Sequence, residues 1–468
     1  MVGRAEKTCQ EPMTDMRIDK APPPQKGRWK NRRRSIKPPH LLLQAFIVLI
    51  GIGSCLLKLP IATVTPISWM EAAFTATSAV TVTGLVVVDT GNQFTTFGQL
   101  IILCLIQLGG LGLMTFAVLT ALALGFKLRL KHQLVAQEAF NEVSLKTARR
   151  AGQSIAFFAL TTEAIGILLL ATFMVPELGW QEGLYQALFY AISAFNNAGF
   201  ALSPDSLSAY VSHPGISLSV TALFITGGLG YIVTMEVLEK RRWSQLSVYV
   251  KVILITTVVL NASAVVAILV LEFNNPSTLG ALDGLGNKLL AAWFQGVTPR
   301  TAGFNTLDIG ALTAGTTVLM LLLMFIGGAP NSTASGIKIS TFFILITATR
   351  SFLKGNLVIN FFGRSLSRET LLKALATTTI GMATIFMAVW MLAILVEDDF
   401  MDIAFEVVSA FGTVGLSRGT TSELGTAGQL IIMAVMLIGR LGPLTLGYTL
   451  TIRRKTNIRY ATTEFPVG

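Results

Sequence analysis

Long apolar runs, each near the length that crosses a bilayer, alternate along most of the chain with shorter, half-apolar stretches. Runs such as LLLQAFIVLIGIGSCLL (41–57) and TTTIGMATIFMAVWMLAILV (377–396) are free of charge. At 1.5 Å per residue, about twenty residues cross a hydrocarbon layer of roughly 30 Å, so these runs predict membrane helices. Eight spans are predicted, at 41–59, 98–125, 153–175, 216–237, 249–271, 315–345, 374–396 and 427–450. The first run starts behind a long polar tail and comparable runs recur, which argues against a cleaved signal peptide.

Four stretches between the spans are only about half as long as a crossing, which suits re-entrant helices. They are WMEAAFTATSAV (69–80), EGLYQALFYAISAF (182–195), LGNKLLAAWFQGV (285–297) and MDIAFEVVSAF (401–411). A glycine motif follows each: TVTGL (81–85), NNAGF (196–200), TAGFNT (301–306) and GTVGLSRG (412–419). The central glycines Gly84, Gly199, Gly303 and Gly415 are 115, 104 and 112 residues apart. Such regular recurrence predicts an internal repeat. The expected fold is an all-α polytopic membrane protein. Four pseudo-symmetric repeats of transmembrane helix, re-entrant pore helix, filter loop and transmembrane helix surround one central pore. The boundaries drawn are a disordered basic tail at 1–40, repeats at 41–130, 131–240, 241–350 and 351–457, and a C-terminal tail at 458–468.

Charge adds a direction. Only 13% of the 468 residues are charged and 52% are apolar, unlike a soluble domain. The segments 24–37, 127–150, 239–251, 350–373 and 453–468 hold 26 of the 36 Lys and Arg. The alternate segments hold only Lys288, Arg300 and Arg418, together with 14 of the 25 carboxylates. Translocated loops are poor in Lys and Arg, so both termini are expected on the cytoplasmic side of the cell membrane. The net charge of +11 is read as topology and not as nucleic-acid binding. Three scattered cysteines (Cys9, Cys55, Cys104) and three distant histidines (His40, His132, His213) supply no disulfide framework or metal-ligand motif. No organic cofactor and no enzyme chemistry is expected.

Non-helical backbone at membrane depth survives only when buried in protein or lining a wet cavity. Four such loops facing one another suit a ring of carbonyl oxygens replacing a cation's hydration shell. Glycine reaches the dihedrals that turn carbonyls inward, and helix C-termini directed at the cavity favour a cation. The candidate filter segments are Thr81-Val82-Thr83-Gly84, Asn196-Asn197-Ala198-Gly199, Arg300-Thr301-Ala302-Gly303 and Gly412-Thr413-Val414-Gly415. Backbone oxygens with threonine hydroxyls nearby suit a hard cation. The sixth span is unlike the rest. Its middle reads Gly327-Gly328-Ala329-Pro330-Asn331-Ser332-Thr333-Ala334-Ser335-Gly336, a poor helix interior, followed by Lys338. Arg440 lies in the corresponding helix of the fourth repeat. The run is either a gate below the filter or a kink for close packing, with Arg440 tied to a carboxylate.

These motifs, with GGAPNSTASGIK (327–338) and GRLGP (439–443), resemble the membrane subunit of the Trk, Ktr and HKT superfamily of potassium transporters, most of all the KtrB branch. The resemblance covers residues 38–457. It implies potassium uptake, with the four glycines at selectivity-filter positions, and a homodimer of two separate pores. It also implies a cytosolic nucleotide-binding regulatory ring beneath that dimer, and a gating loop at 327–336 with the residue at Arg440 beside it. Ser335 stands where the family more often has glycine, so loop flexibility is a point of departure. Gly84 keeps the potassium-type pattern, whereas some relatives with serine there favour sodium. No residue locates a sodium site, so sodium coupling or permeation stays open.

The remaining polar residues carry weaker expectations. Glu163, inside the third span, is either functional or locally paired. Asn261 is expected to bond between helices, and Trp69, Trp180, Trp243 and Trp293 to act in packing and as interfacial anchors. Asp205, Asp308, Glu397, Asp398, Asp399 and Asp402 belong to the outer side, and Asp89 is the candidate for a vestibule that concentrates cations.

Overall fold

An apolar run inside a bilayer has to satisfy its own backbone, and a helix does so residue by residue. In the computed structural model, which describes residues 38–123, 145–356 and 358–442, the described parts of the runs do this, the one at 315–345 with a break. The first group is α1 (Pro38–Leu57), α2 (Trp69–Thr81), the short α3 (Thr90–Gln93) and α4 (Thr96–Ala123). The second is α5 (Leu145–Leu178), α6 (Trp180–Phe195) and α7 (Pro214–Lys240). The third is α8 (Val248–Glu272), α9 (Leu285–Val297), α10 (Ala314–Phe325) and α11 (Ile339–Leu353). The fourth is α12 (Arg368–Leu395), α13 (Phe400–Gly412), α14 (Thr420–Glu423) and α15 (Thr426–Leu441). A two-stranded hairpin, β1 (Asn360–Phe361) with β2 (Arg364–Ser365), precedes α12, and Phe361 packs edge-on against Phe343 of α11 at 5.7 Å. Among the described residues, four helical stretches are long and apolar enough to cross a membrane: Arg150–Leu178, Pro214–Lys240, Val248–Glu272 and Arg368–Leu395. The other apolar helices are shorter over the described residues.

The expected span at 315–345 is corrected here. It is two helices, α10 and α11, divided by the non-helical segment 326–338. In the described part of the expected span at 427–450, α15 ends at Leu441, where Gly442 takes φ +83; residues 443–450 lie outside the described residues. The tails at 1–37 and 458–468, Pro443, and most of the basic segment at 127–150 lie outside the described residues.

The half-length stretches become α2, α6, α9 and α13, and local chemistry starts two of them sharply. Ser68 Oγ accepts from Glu71 N at 3.1 Å while Ser68 N donates to Glu71 Oε2 at 2.5 Å, a reciprocal box that opens α2. Asp399 accepts from Met401 N at 3.1 Å and opens α13. Three of the four short helices are then gripped by the helix that follows in their own group. A Cβ on Gly109 of α4 would lie 2.0 Å from Val80 O. One on Gly227 of α7 would lie 1.9 Å from Phe195 O, and one on Gly439 of α15 would lie 1.9 Å from Phe411 O. Small residues let backbones approach this closely inside membranes. Val80, Phe195 and Phe411 each stand four residues before a motif glycine. In the third group that place is Pro299, and the following helix is the one that breaks.

The contact can be tested with a matched pair. Gly439→Ala should lower the stability of the detergent-solubilised protein by about 3 kcal/mol, since a methyl must be forced into backbone. Gly112→Ala, whose Cβ would meet nothing within 4 Å, should leave it unchanged. Thermal unfolding followed by size-exclusion fluorescence reads both.

Candidate cation pathway and gate

All four short helices end in the same backbone conformation. The residue two before each glycine is left-handed: Val82 (φ +57), Asn197 (+60), Thr301 (+74) and Thr413 (+47). Each glycine is left-handed too: Gly84 (+91), Gly199 (+69), Gly303 (+79) and Gly415 (+96). For β-branched Val82, Thr301 and Thr413 this region is strained, so the surroundings must hold it. Schellman-type bonds do so in three turns. Thr83 N, Ala198 N and Val414 N donate at 2.8 Å to the carbonyls of Ser78, Ser193 and Ser409. The hydroxyls of those serines work as well. Gly84 N donates to Ser78 Oγ at 3.0 Å, Gly415 N to Ser409 Oγ at 3.2 Å, and Ser193 Oγ to Phe200 O at 2.8 Å. The third turn is one residue tighter, with Thr298 Oγ1 donating to Phe304 O at 2.5 Å. Sequence reasoning missed these hydroxyls, although the recurring Ser-Ala pair six residues before three of the glycines was there to find.

The turns meet head to tail. A Cβ on Gly84 would lie 2.3 Å from Ala198 O. One on Gly199 would lie 2.9 Å from Gly303 Cα and 3.0 Å from Ala302 O. One on Gly303 would lie 2.1 Å from Val414 O, and one on Gly415 would lie 2.3 Å from Thr83 O. Each glycine therefore faces the carbonyl just before the next glycine, and the fourth returns to the first. All the non-glycine residues of the candidate filter segments are buried. Thr413 Oγ1 has no hydrogen-bond partner, while Thr81 Oγ1 lies 2.7 Å from Thr83 Oγ1.

Side chains tie the turns to the helices behind them. Asn196 Nδ2 donates to Gln107 Oε1 (2.7 Å) and Glu163 Oε1 (3.1 Å), and Gln107 Nε2 donates to Glu163 Oε2 (3.0 Å). Arg300 donates to Asn261 Oδ1 of α8 at 2.6 Å, so Asn261 bonds a helix to the third turn and not to another helix as expected. Buried Glu406 of α13 accepts from Ser417 Oγ, from Thr421 Oγ1 (2.5 Å) and from Arg418 N (3.2 Å), fixing the exit of the fourth turn. Arg418 pairs with Asp402 and donates to Ile309 O (3.2 Å) and Thr317 Oγ1 (3.1 Å), joining the fourth group to the third. Asp89 is less available than the vestibule expectation required. Its carboxylate accepts from Gly91 N (2.8 Å), Asn92 N (3.4 Å) and Asn92 Nδ2 (2.6 Å), so it caps α3. Trp69, Trp180 and Trp243 are exposed, and Trp293 donates to Thr221 Oγ1 at 3.3 Å.

The segment 326–338 is packed beside the ring. Gly327 N donates to Ile337 O (2.9 Å) and Ile337 N to Phe325 O (3.2 Å), closing the segment at its base. Ala329 N donates to Gly228 O (2.9 Å), and Tyr249 Oη to Pro330 O (3.2 Å). Helix α7 bends at Gly230 (φ +76), where a Cβ would lie 2.7 Å from Asn331 O. Asn197, with its amide nitrogen facing Phe224 O (3.1 Å) and Phe195 O (3.3 Å), also donates to Thr333 Oγ1 at 3.0 Å. Gly336 is left-handed (φ +65), and Lys338 Nζ turns back onto Ala334 O at 2.6 Å. Arg440, 2% exposed, donates to Thr333 O, to Ser335 Oγ at 3.1 Å and to Gly109 O of α4 at 3.2 Å. Its Nε has no partner, and among the described residues no carboxylate pairs with it. The alternative in which Arg440 is tied to a carboxylate is therefore corrected: its partners are neutral oxygens.

Comparison with known proteins follows the same lines. The TrkH family, described as cation transport protein, matches residues 13–456. The Ktr system potassium uptake protein B of Bacillus subtilis is 47% identical over 431 residues, covering 92% of this chain and 97% of the relative. The potassium/sodium uptake protein NtpJ of Enterococcus hirae is 34% identical over 449 residues, covering 94% and 99%. The crystal structure of the potassium transporter TrkH from Vibrio parahaemolyticus shares the fold, with a TM-score of 0.70 at 18% identity over 91% of this chain and 87% of that one. A chain matched over nearly its whole length, with helices able to span a membrane, belongs to the TrkH family of cation transport proteins, a family of transporters and not of enzymes.

Proposed function

We propose that this chain takes up potassium across the cell membrane through a single pore narrowed by its four glycine turns. The closed succession of Gly84, Gly199, Gly303 and Gly415, each facing its neighbour's carbonyl, carries the reading. Glycine at all four places lets the backbones meet, and the carbonyls of Thr83, Ala198, Ala302 and Val414 stand where an ion's water would be replaced. In this reading the four helix groups are pseudo-symmetric repeats, eight spans cross the bilayer, and α2, α6, α9 and α13 re-enter it. The basic segments and both termini face the cytoplasm. The names of the relatives in Bacillus subtilis and Enterococcus hirae support potassium as the ion. The second name also favours a second reading, a sodium-permeable or sodium-coupled carrier of the same fold.

The segment 327–336 is the gate in this proposal. It reaches Asn197 of the second turn on one side and is held by Arg440 on the other. The guanidinium lies between the loop and Gly109 O with no counter-charge, and a bare positive charge beside a cation path raises a barrier. A homodimer of two such pores and a cytosolic nucleotide-binding ring complete the proposed assembly, with the ring drawing the loop aside.

Growth of a potassium-uptake-deficient cell on low potassium, with rubidium uptake, tests the function. Rescue by this chain, alone or with its regulatory partner, is expected, and its absence in cells that assemble the protein would remove potassium as the ion. Gly84→Ser places a Cβ 2.3 Å from Ala198 O on a left-handed residue. It should lower the potassium-over-sodium preference by about tenfold, equivalent to ~1.4 kcal/mol, in protein that still assembles. Tracer competition in proteoliposomes measures it. Shortening the loop within 329–335, or Arg440→Gln, should raise flux and make it indifferent to nucleotide while leaving ion preference intact. Wild-type flux and full nucleotide control in a well-assembled, loop-shortened protein would put the gate elsewhere.

A further inference from the structure

We propose that Glu163 is a positioning residue for ion discrimination, acting through the Asn196 side chain on the second glycine turn. The inference deepens the potassium-pore reading and rests on it. Glu163 lies mid-way along α5, and it is 3% exposed while Leu160, Ile165 and Leu168 around it face outward. Its two carboxylate oxygens serve two different amides. Oε1 accepts from Asn196 Nδ2 at 3.1 Å and Oε2 from Gln107 Nε2 at 3.0 Å. The two amides are joined by Asn196 Nδ2 donating to Gln107 Oε1 at 2.7 Å. The result is a closed triangle spanning α4, α5 and the end of α6.

Stability gives no reason for a carboxylate at this place. No Lys, Arg or His pairs with Glu163 among the described residues. A buried ionisable group without a counter-charge is expensive, and a carboxylate inside a span is by default a functional group. The triangle acts on the segment proposed to meet the ion. Asn196 is the first residue of the second filter segment, Asn197 after it is left-handed, and Ala198 O is the oxygen facing Gly84. The amide of Asn196 is also wedged against α4, because a Cβ on Gly110 would lie 2.1 Å from Asn196 Oδ1. Bonded through Nδ2 and packed against Gly110 at Oδ1, which accepts no hydrogen bond, the side chain has little freedom and restrains the peptide that follows it.

The corresponding residues of the other turns are held differently. Thr81 bonds back to its own short helix, at Thr77 O (2.7 Å), and lies 3.8 Å from Met436 Sδ of α15. Gly412 has no side chain, and Arg300 reaches Asn261. Among the described residues, only the second turn leans on a carboxylate from the outer helix of its own group, so losing it should distort one quarter of the ring and spare the rest.

The test is the rubidium-over-sodium uptake ratio, read in cells lacking their own uptake systems and normalised to assembled protein. Glu163→Ala should lower the ratio about tenfold, the scale of one charge-assisted hydrogen bond. Glu163→Gln, which keeps one acceptor oxygen, should fall between. Adding Glu163→Ala to Asn196→Ala should cost little beyond Asn196→Ala alone, because both remove the same link. A merely structural role would change the amount of assembled protein and not the ratio. If Glu163→Ala fails to assemble, Glu163→Gln and Gln107→Leu must each still lower the ratio. Wild-type ratios in those two, or in an assembled Glu163→Ala, overturn the inference, as do fully additive effects with Asn196→Ala. A wild-type chain that discriminates normally while the variants do not differ overturns this inference alone. A wild-type chain that moves neither ion overturns the function proposed above, and this inference with it.

Discussion

Backbone polar groups cannot be left unpaired in hydrocarbon, and the rest of this structure depends on that constraint. It makes the long apolar runs helical and leaves few ways to use irregular backbone. The chain meets it by bringing four irregular turns together, so that each is buried by the others. Strain at Val82, Thr301 and Thr413 is tolerable because every turn is fixed from behind, by a cap to the short helix and, in three of the four, by a serine hydroxyl. The glycines of α4, α7 and α15 complete the arrangement by seating three of the four short helices directly on backbone. Bulk anywhere in this set pushes two chain segments apart at once.

The third group breaks the pattern in a coherent way. Its short helix ends through Thr298, Pro299 and Arg300 and lacks the Ser-Ala pair, and its turn is one residue tighter. Its following helix divides into α10 and α11. The segment between them closes on itself at its base and takes further hydrogen bonds from α7, from Tyr249 of α8, from the second turn and from Arg440. Departure from what the other three groups share is concentrated where the apolar pattern is interrupted by Gly327, Gly328, Pro330 and Gly336.

Much of this was legible in the sequence. Helix positions followed from run length, and the four glycine motifs announced themselves by spacing and by the half-length stretches before them. The observed α2, α6, α9 and α13 begin and end within about two residues of those stretches, a margin ordinary for helix ends. What stayed hidden depends on distance in space. Glu163 lies 33 positions from Asn196, and Arg440 lies 331 from Gly109, so no local pattern could join them. Asp89 beside a glycine motif suggested ion attraction, and its oxygens have a second task that no spacing announced, capping the start of α3. The alternative that tied Arg440 to a carboxylate could not foresee that neutral oxygens from two segments receive it.

The bond between Asn197 and Thr333 has a thermodynamic consequence. One end belongs to a left-handed residue of the second turn and the other to the segment proposed as the gate. Any displacement of that segment breaks the bond and removes a support from the turn, so the two share a free energy. Linkage of this kind is reciprocal: whatever biases the segment changes ion affinity, and an ion bound at the turn biases the segment by the same factor. Under the proposed gate, permeant ion and regulator would act as effectors of each other, with one threonine hydroxyl as the point where their work is exchanged.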